Sequence, residues 1–206
     1  MNRTTFEQWV EHHAAAIAQI RESAHSLHDS VNQMYDKTRP YGYHLDMVAD
    51  AVHRYGHAVC ASEADILPLF FGAFYHDSIE DARLSYNDVK RTAQRWMDDD
   101  GALTAAEIVY ALTNEKGRTR AERADERYYQ GIRQTAYAPF VKLADRLANI
   151  TYSFSHAHRM NLHMKEVYHE EWPHFLTAIT SSQDDRRFAL PQAMIDEVLA
   201  VMEGKV

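Results

Sequence analysis

Apolar residues recur along this chain at helical spacing. From Thr5 to Met34, the positions Phe6, Trp9, Val10, Ile17, Ile20, Ala24, Leu27 and Val31 fall mostly on one face, which predicts a single helix there. The stretch Lys37-Thr38-Arg39-Pro40-Tyr41-Gly42 ends it, because Pro and Gly both interrupt helices. His44 then opens a helix that turns Leu45, Val48, Ala49 and Val52 inward. Ser62 is suited to cap the next, which runs through Ile66, Leu67, Leu69, Phe70, Phe71 and Phe74. Pro68 is tolerable in its opening turn. Ser85, with Asp88 in the first turn, opens another helix. Thr104 with Glu107, and Thr119 with Glu122, have capping-box spacing and predict two more helix starts, with a polar, basic loop before the second at 113–118. Tyr137 to Phe154 carries a further helical face. The remainder, Ser155 to Val206, reads as helices separated at Trp172-Pro173 and at the charged turn Asp184-Asp185-Arg186-Arg187.

Composition narrows this to one all-α domain. The 206 residues suit a single domain with a full core, and 46% are hydrophobic, which argues against disorder. Seven Gly and five Pro are too few to punctuate a many-stranded β fold. No repeat or composition shift marks a second domain across 1–206. A lone cysteine, Cys60, suits a reducing cytoplasm, and no apolar run is long enough to span a bilayer. The expectation is therefore a soluble, cytoplasmic protein with no membrane partner. A formal charge of −8 argues against a broad nucleic-acid surface. It leaves room for a small anionic substrate wherever a metal and a few basic residues reverse the local field.

Candidate chemistry concentrates at Phe70 to Asp81, FFGAFYHDSIED. If the helix continues, His76 lies one turn below Glu80, and Asp77 one turn below Asp81. Three carboxylates and an imidazole would then crowd one helix end, where a divalent cation turns repulsion into attraction. A second stretch, FVKLADRLANI from Phe140 to Ile150, sets Asp145 among Phe140, Leu143, Ala144, Leu147 and Ile150. A carboxylate beside a buried stripe needs a partner. Singly, each candidate has a plain structural explanation: His44 as a helix-start residue, Asp145 paired with Arg146 or Arg159. Together, His44, His76, Asp77 and Asp145 form a set suited to one metal ion.

These residues resemble the H…HD…D pattern of HD-domain metal-dependent phosphohydrolases. Pro40-Tyr41-x-x-His44, His76-Asp77-x-x-Glu80-Asp81 and Val141-Lys142-Leu143-Ala144-Asp145-Arg146-Leu147-x-Asn149 look more narrowly like the hydrolase domain of RelA/SpoT proteins and its small stand-alone relatives. Leu112-Thr113-Asn114-Glu115-Lys116 is similar to the segment before the last ligand in those small hydrolases. The likeness covers roughly 37–151, with additional helices over 155–206. It departs from the family at Val31-Asn32-Gln33-Met34-Tyr35, where the family usually carries an Arg or Lys pair, and in a longer interval from His44 to His76.

The resemblance implies an HD-type helical bundle. It implies one Mn²⁺ held by His44, His76, Asp77 and Asp145, and removal of the 3′-pyrophosphate from guanosine tetra- or pentaphosphate. Glu80 and Asp81, a turn from the ligands, are placed to act on the attacking water as base or orienter. Asn149 is placed to bond substrate sugar or phosphate, and Arg39, Lys116, Arg118 and Lys142 to neutralise its charge.

Alternative readings are another HD nucleotide phosphohydrolase (dNTP, nucleoside monophosphate, NADPH or cyclic nucleotide) and an idle helical binding module. The remaining histidines read more simply. His12, His13, His25 and His28 are surface candidates, and His53 and His57 have i,i+4 spacing without a matching carboxylate. The irregular His156, His158, His163, His169 and His174 series suits a solvated face or a homo-oligomer contact. Tyr128 and Tyr129 read as packing residues first and base-stacking residues second.

Overall fold

The computed structural model describes residues 1–114, 117–155 and 159–205. The described chain is all-α: α1 (Arg3–His12), α2 (Ala14–Ser30), α3 (Gly42–Tyr55), α4 (Ile66–Tyr75), α5 (Tyr86–Ala93), α6 (Asp99–Leu112), α7 (Arg120–Arg123), α8 (Glu126–Gln134), α9 (Ala138–Ser155), α10 (Arg159–Ile179) and α11 (Gln192–Met202). Short 3₁₀ turns fill 56–58, 63–65 and 186–188.

Helix α4 is the centre because its sequence has no polar face to offer water. All of Ile66 to Tyr75 is buried, and the helix packs on α2, α3, α6 and α9. A helix apolar all round must be enclosed by neighbours. Gly72 permits one of these approaches: a Cβ there would stand 2.6 Å from Ile108 Cγ2 on α6. Helix α9 is the second hub, packed on α3, α8, α10 and α11.

Local signals set most boundaries. Ser62 heads the 3₁₀ turn that runs into α4, with reciprocal bonds to Asp65. Ser85 and Asp88 form the capping box of α5, and Thr119 Oγ1 accepts from the Glu122 amide at α7. Four expectations are corrected. The first helix is two, because His13 leaves helical geometry at φ −97°, ψ 6°. Helix α3 begins two residues before His44, at Gly42. Helix α6 starts at Asp99, since Asp98 accepts from Gly101 N at 2.9 Å and competes better for the end; Thr104 lies inside and bonds Asp100 O. Helix α10 runs straight through Pro173. A mid-helix proline costs about 3 kcal/mol, which burial of Trp172 and Phe175 on either side offsets.

Candidate metal centre

The site forms where α3, the end of α4 and α9 meet. Helix α4 stops at Tyr75, with His76 as its C-cap, and residues 76–82 continue as turns. One helical hydrogen bond survives, Asp81 N to Asp77 O at 2.8 Å, so the carboxylates keep the expected one-turn offset. His44 comes from the first turn of α3 and Asp145 from the middle of α9.

One nitrogen of His44, one of His76 and one oxygen of Asp145 lie within 4.8 Å of one another. His44 Nε2 stands 3.3 Å from His76 Nε2 and 3.2 Å from Asp145 Oδ1. Asp77 Oδ2 joins from the side, 2.9 Å from His76 Nε2. His76 Nδ1 donates to Ala73 O at 2.9 Å, which orients the ring with Nε2 facing inward. His44 is held flat against the Tyr35 ring, 5.0 Å between centroids and 12° between planes.

Two facing imidazole nitrogens need a proton or a cation between them, and the 3.3 Å His44–His76 contact is within hydrogen-bond range when one nitrogen is protonated. Burial works against a charged His76, yet Asp77 and Asp145 overcome it and raise its pKa to about 9. Burial likewise penalises the carboxylates, but Lys142, His44 and His76 hold Asp145 well below its usual range, and His76 lowers Asp77. The donor set, two imidazoles and a carboxylate with a second carboxylate alongside, therefore fits a divalent ion such as Mn²⁺ or Zn²⁺.

Around the ligands is a layer of neutral hydrogen-bonding groups. Asn149 Nδ2 donates to Asp145 Oδ1 at 2.6 Å, and its Oδ1 accepts from Tyr35 OH at 3.0 Å. Tyr41 OH donates to Asp77 Oδ2, and Tyr41 stacks on His28 at 4.7 Å. Gln33 Nε2 donates to Asp81 Oδ2 at 3.0 Å. Tyr35, Tyr41 and Gln33 belong to the connection between α2 and α3. The roles of Gln33 and Tyr35 escape a sequence reading because no periodicity or spacing links that loop to Asp81 and Asn149, 48 and 114 positions away.

The centre opens into a cavity of about 760 Å³. Asp77, Glu80, Asp81, Lys142, Asp145 and Asn149 all line it. Glu80 is exposed and accepts from Asn114 Nδ2 at 2.7 Å, at the rim. Asp81 is only partly exposed; burial and its neighbours Asp77 and Glu80 raise its pKa to about 6. Lys142 Nζ donates to Asp145 Oδ2 at 3.0 Å and lies 5.7 Å from the Tyr128 ring centre; burial opposes its charge, but Tyr128 and Asp145 hold its pKa up. Arg39 does not line the cavity; it pairs with Asp36 at 2.7 Å and packs on Tyr43 and Tyr152. Arg118 is exposed and also stands off the lining. Lys116, His156 and His158 lie outside the described residues.

The far wall is aromatic, from Tyr128, Tyr129, Tyr168 and Phe175. Arg146 lies beneath it, 4.2 Å over Phe175, and donates to Glu171 Oε2 at 2.9 Å. The possible pairing of Asp145 with Arg146 is thus replaced by Lys142–Asp145 and Arg146–Glu171. His53 and His57 do not share a site: His53 is exposed, and His57 sits in the following 3₁₀ turn with its ring 6.4 Å from Phe6. His174 reaches the cavity and meets Tyr129 edge-on at 5.8 Å.

Searches against protein families, curated proteins and solved structures return no match for this chain. No helix among the described residues is long and apolar enough to cross a membrane.

Proposed function

We propose that the protein is a metal-dependent phosphohydrolase of the HD type acting on a nucleotide. The observation that carries this is the buried convergence of His44, His76 and Asp145, with Asp77 beside them, at the floor of an aromatic-walled cavity. A divalent cation held there supplies Lewis acidity towards a phosphoryl oxygen and towards water.

The chain's own groups do the rest. Asp81, with a pKa of about 6, is ionised at pH 7 yet basic enough to take a proton from water on the cavity side. Gln33 orients its carboxylate, and Tyr41 orients Asp77. Asn149 and Lys142 share Asp145 and aim it at the imidazoles. Glu80, at the rim with Asn114, meets the substrate sooner than the reacting atoms. Tyr128, Tyr129 and Phe175 line the cavity but are each 7% exposed or less, so they bound its shape more than they offer a stacking face to a base.

The motifs imply guanosine tetra- or pentaphosphate as substrate, with loss of the 3′-pyrophosphate and Mn²⁺ as the working ion. A second reading, a nucleotide with fewer phosphates such as a nucleoside monophosphate, is favoured by one observation. Gln33 and Tyr35, neutral groups, take the contacts to Asp81 and Asn149 in the segment where the resemblance calls for an Arg or Lys pair. The cavity lining agrees, with seven carboxylates against three basic groups among the described residues.

The test is metal-supplemented hydrolysis of alarmones, nucleoside monophosphates, dNTPs, NADPH and cyclic nucleotides, with products identified. We expect Mn²⁺-dependent release of pyrophosphate or phosphate from one class, reduced about 10²-fold in Asp81→Asn, the usual scale for a general base. A metal-loaded protein inert to the whole panel would overturn the enzymatic reading in favour of a binding module.

A further inference from the structure

A second imidazole–carboxylate cluster lies on the surface, outside the cavity. His12 ends α1, His13 is the residue between α1 and α2, and Glu63 opens the 3₁₀ turn that leads into α4. His12 Nδ1 is 2.6 Å and His13 Nε2 is 3.3 Å from the same oxygen, Glu63 Oε1. One ligand atom from each residue lies within 4.8 Å of the other two. Consecutive side chains on a continuous helix point about 100° apart and cannot share a ligand. The break at His13 removes that restriction: the rings stand 4.9 Å apart with 36° between their planes. His13 makes no side-chain cap to α2, and its Nε2 faces Glu63 instead.

We infer that His12, His13 and Glu63 form a second metal site, for a borderline divalent ion of the Zn²⁺ class. Two imidazoles and one carboxylate are a tetrahedral three-ligand set, and ligand bonds of about 2.0–2.2 Å place ligand atoms about 3.3 Å apart. The His13–Glu63 separation already has that value, and the 2.6 Å His12–Glu63 approach relaxes to it by a small rotation of an exposed side chain. The side chain of His12 is 74% exposed, so water reaches the fourth position. An ion there ties the α1–α2 junction to the start of α4, the helix whose far end carries His76. This site is independent of the catalytic reading.

The test uses the full chain, stripped with chelator and titrated with Zn²⁺ alone, alongside His12→Ala and Glu63→Gln. Both substitutions are at the surface and should leave the fold intact. Wild type should bind one Zn²⁺ more per chain than either variant, by calorimetry and elemental analysis. Zn²⁺ should slow amide exchange around 13–15 and 62–65 in wild type only. A Zn²⁺-dependent rise of about 5 °C in Tm should fall in both variants. Equal stoichiometry and equal exchange in wild type and variants would overturn the site, leaving an ordinary His–Glu pair.

Discussion

The two imidazole–carboxylate clusters use the same chemistry in opposite settings. At the centre, His44, His76 and Asp145 come from three helices and are almost wholly enclosed. At the surface, His12 and His13 are neighbours in sequence and Glu63 reaches them from a nearby turn. Burial makes each charge at the centre depend on the others, so His76 is pushed up while Asp77 and Asp145 are pushed down. Solvent screens the surface trio, and an exposed His–Glu pair contributes little by itself. The enclosed charges are therefore held by mutual compensation, whereas the exposed ones are largely screened from each other.

The largest effect expected from this contrast is on turnover. His76→Ala should lose metal at the centre and activity by about 10³-fold or more, the scale of several kcal/mol expected of Lewis-acid stabilisation. His12→Ala should retain activity within about twofold. Assay of both at saturating Mn²⁺ checks this, and comparable losses would erase the distinction.

Next in size is stability without metal. Asp145→Asn takes its carboxylate partner from the enclosed Lys142 ammonium, and removing one partner of a buried pair typically costs about 3–5 kcal/mol. Glu63→Gln should change metal-free stability by less than about 0.5 kcal/mol. Chemical denaturation of the chelator-treated proteins measures both.

A third buried imidazole sharpens the comparison because it has no ionic partner. His28 is fully buried against Tyr41, and neither ring nitrogen meets a hydrogen-bonding group among the described residues. Burial lowers its pKa to about 4 from the ordinary 6.5. The folded form therefore resists a proton that the unfolded chain accepts, and its contribution is intact above pH 6.5 and lost as pH falls towards 4. His28→Leu should abolish that component, at most about 3 kcal/mol. Melting of both proteins between pH 7 and pH 4 tests it; parallel curves would show that His28 does not titrate on unfolding.

The last contrast concerns reactivity. Burial raises the Cys60 thiol to about 12, so folded protein should react with thiol reagents orders of magnitude more slowly than denatured protein. Loosening the surface cluster by Glu63→Gln should leave that rate unchanged, while Asp145→Asn should speed it by favouring unfolding. The thiol thus reports on which cluster governs the core.

Much of this was written in local sequence. Periodic apolar positions and caps such as Ser62, Ser85 and Thr119 determine helices with little help from the rest of the chain, because each signal acts within one turn. The one-turn offset of Asp77 and Asp81 was legible for the same reason, and it survives although the helix itself stops at Tyr75. Where two local signals competed, as Asp98 did with Thr104, or where packing outweighed one, as at Pro173, the sequence pattern misled.

Only the tertiary structure decided which chemistry meets. Helices α3 and α9 had to pack on α4 before His44 and Asp145 could face His76. The same packing set Tyr35, Tyr41 and Gln33 around the centre, while a local pair three residues apart holds Arg39 to Asp36. The break at His13 has no Pro or Gly to announce it, so the surface cluster was equally hidden. Helix formation follows from interactions a few residues apart; the direction of a side chain at a helix junction follows from what the rest of the molecule packs against it.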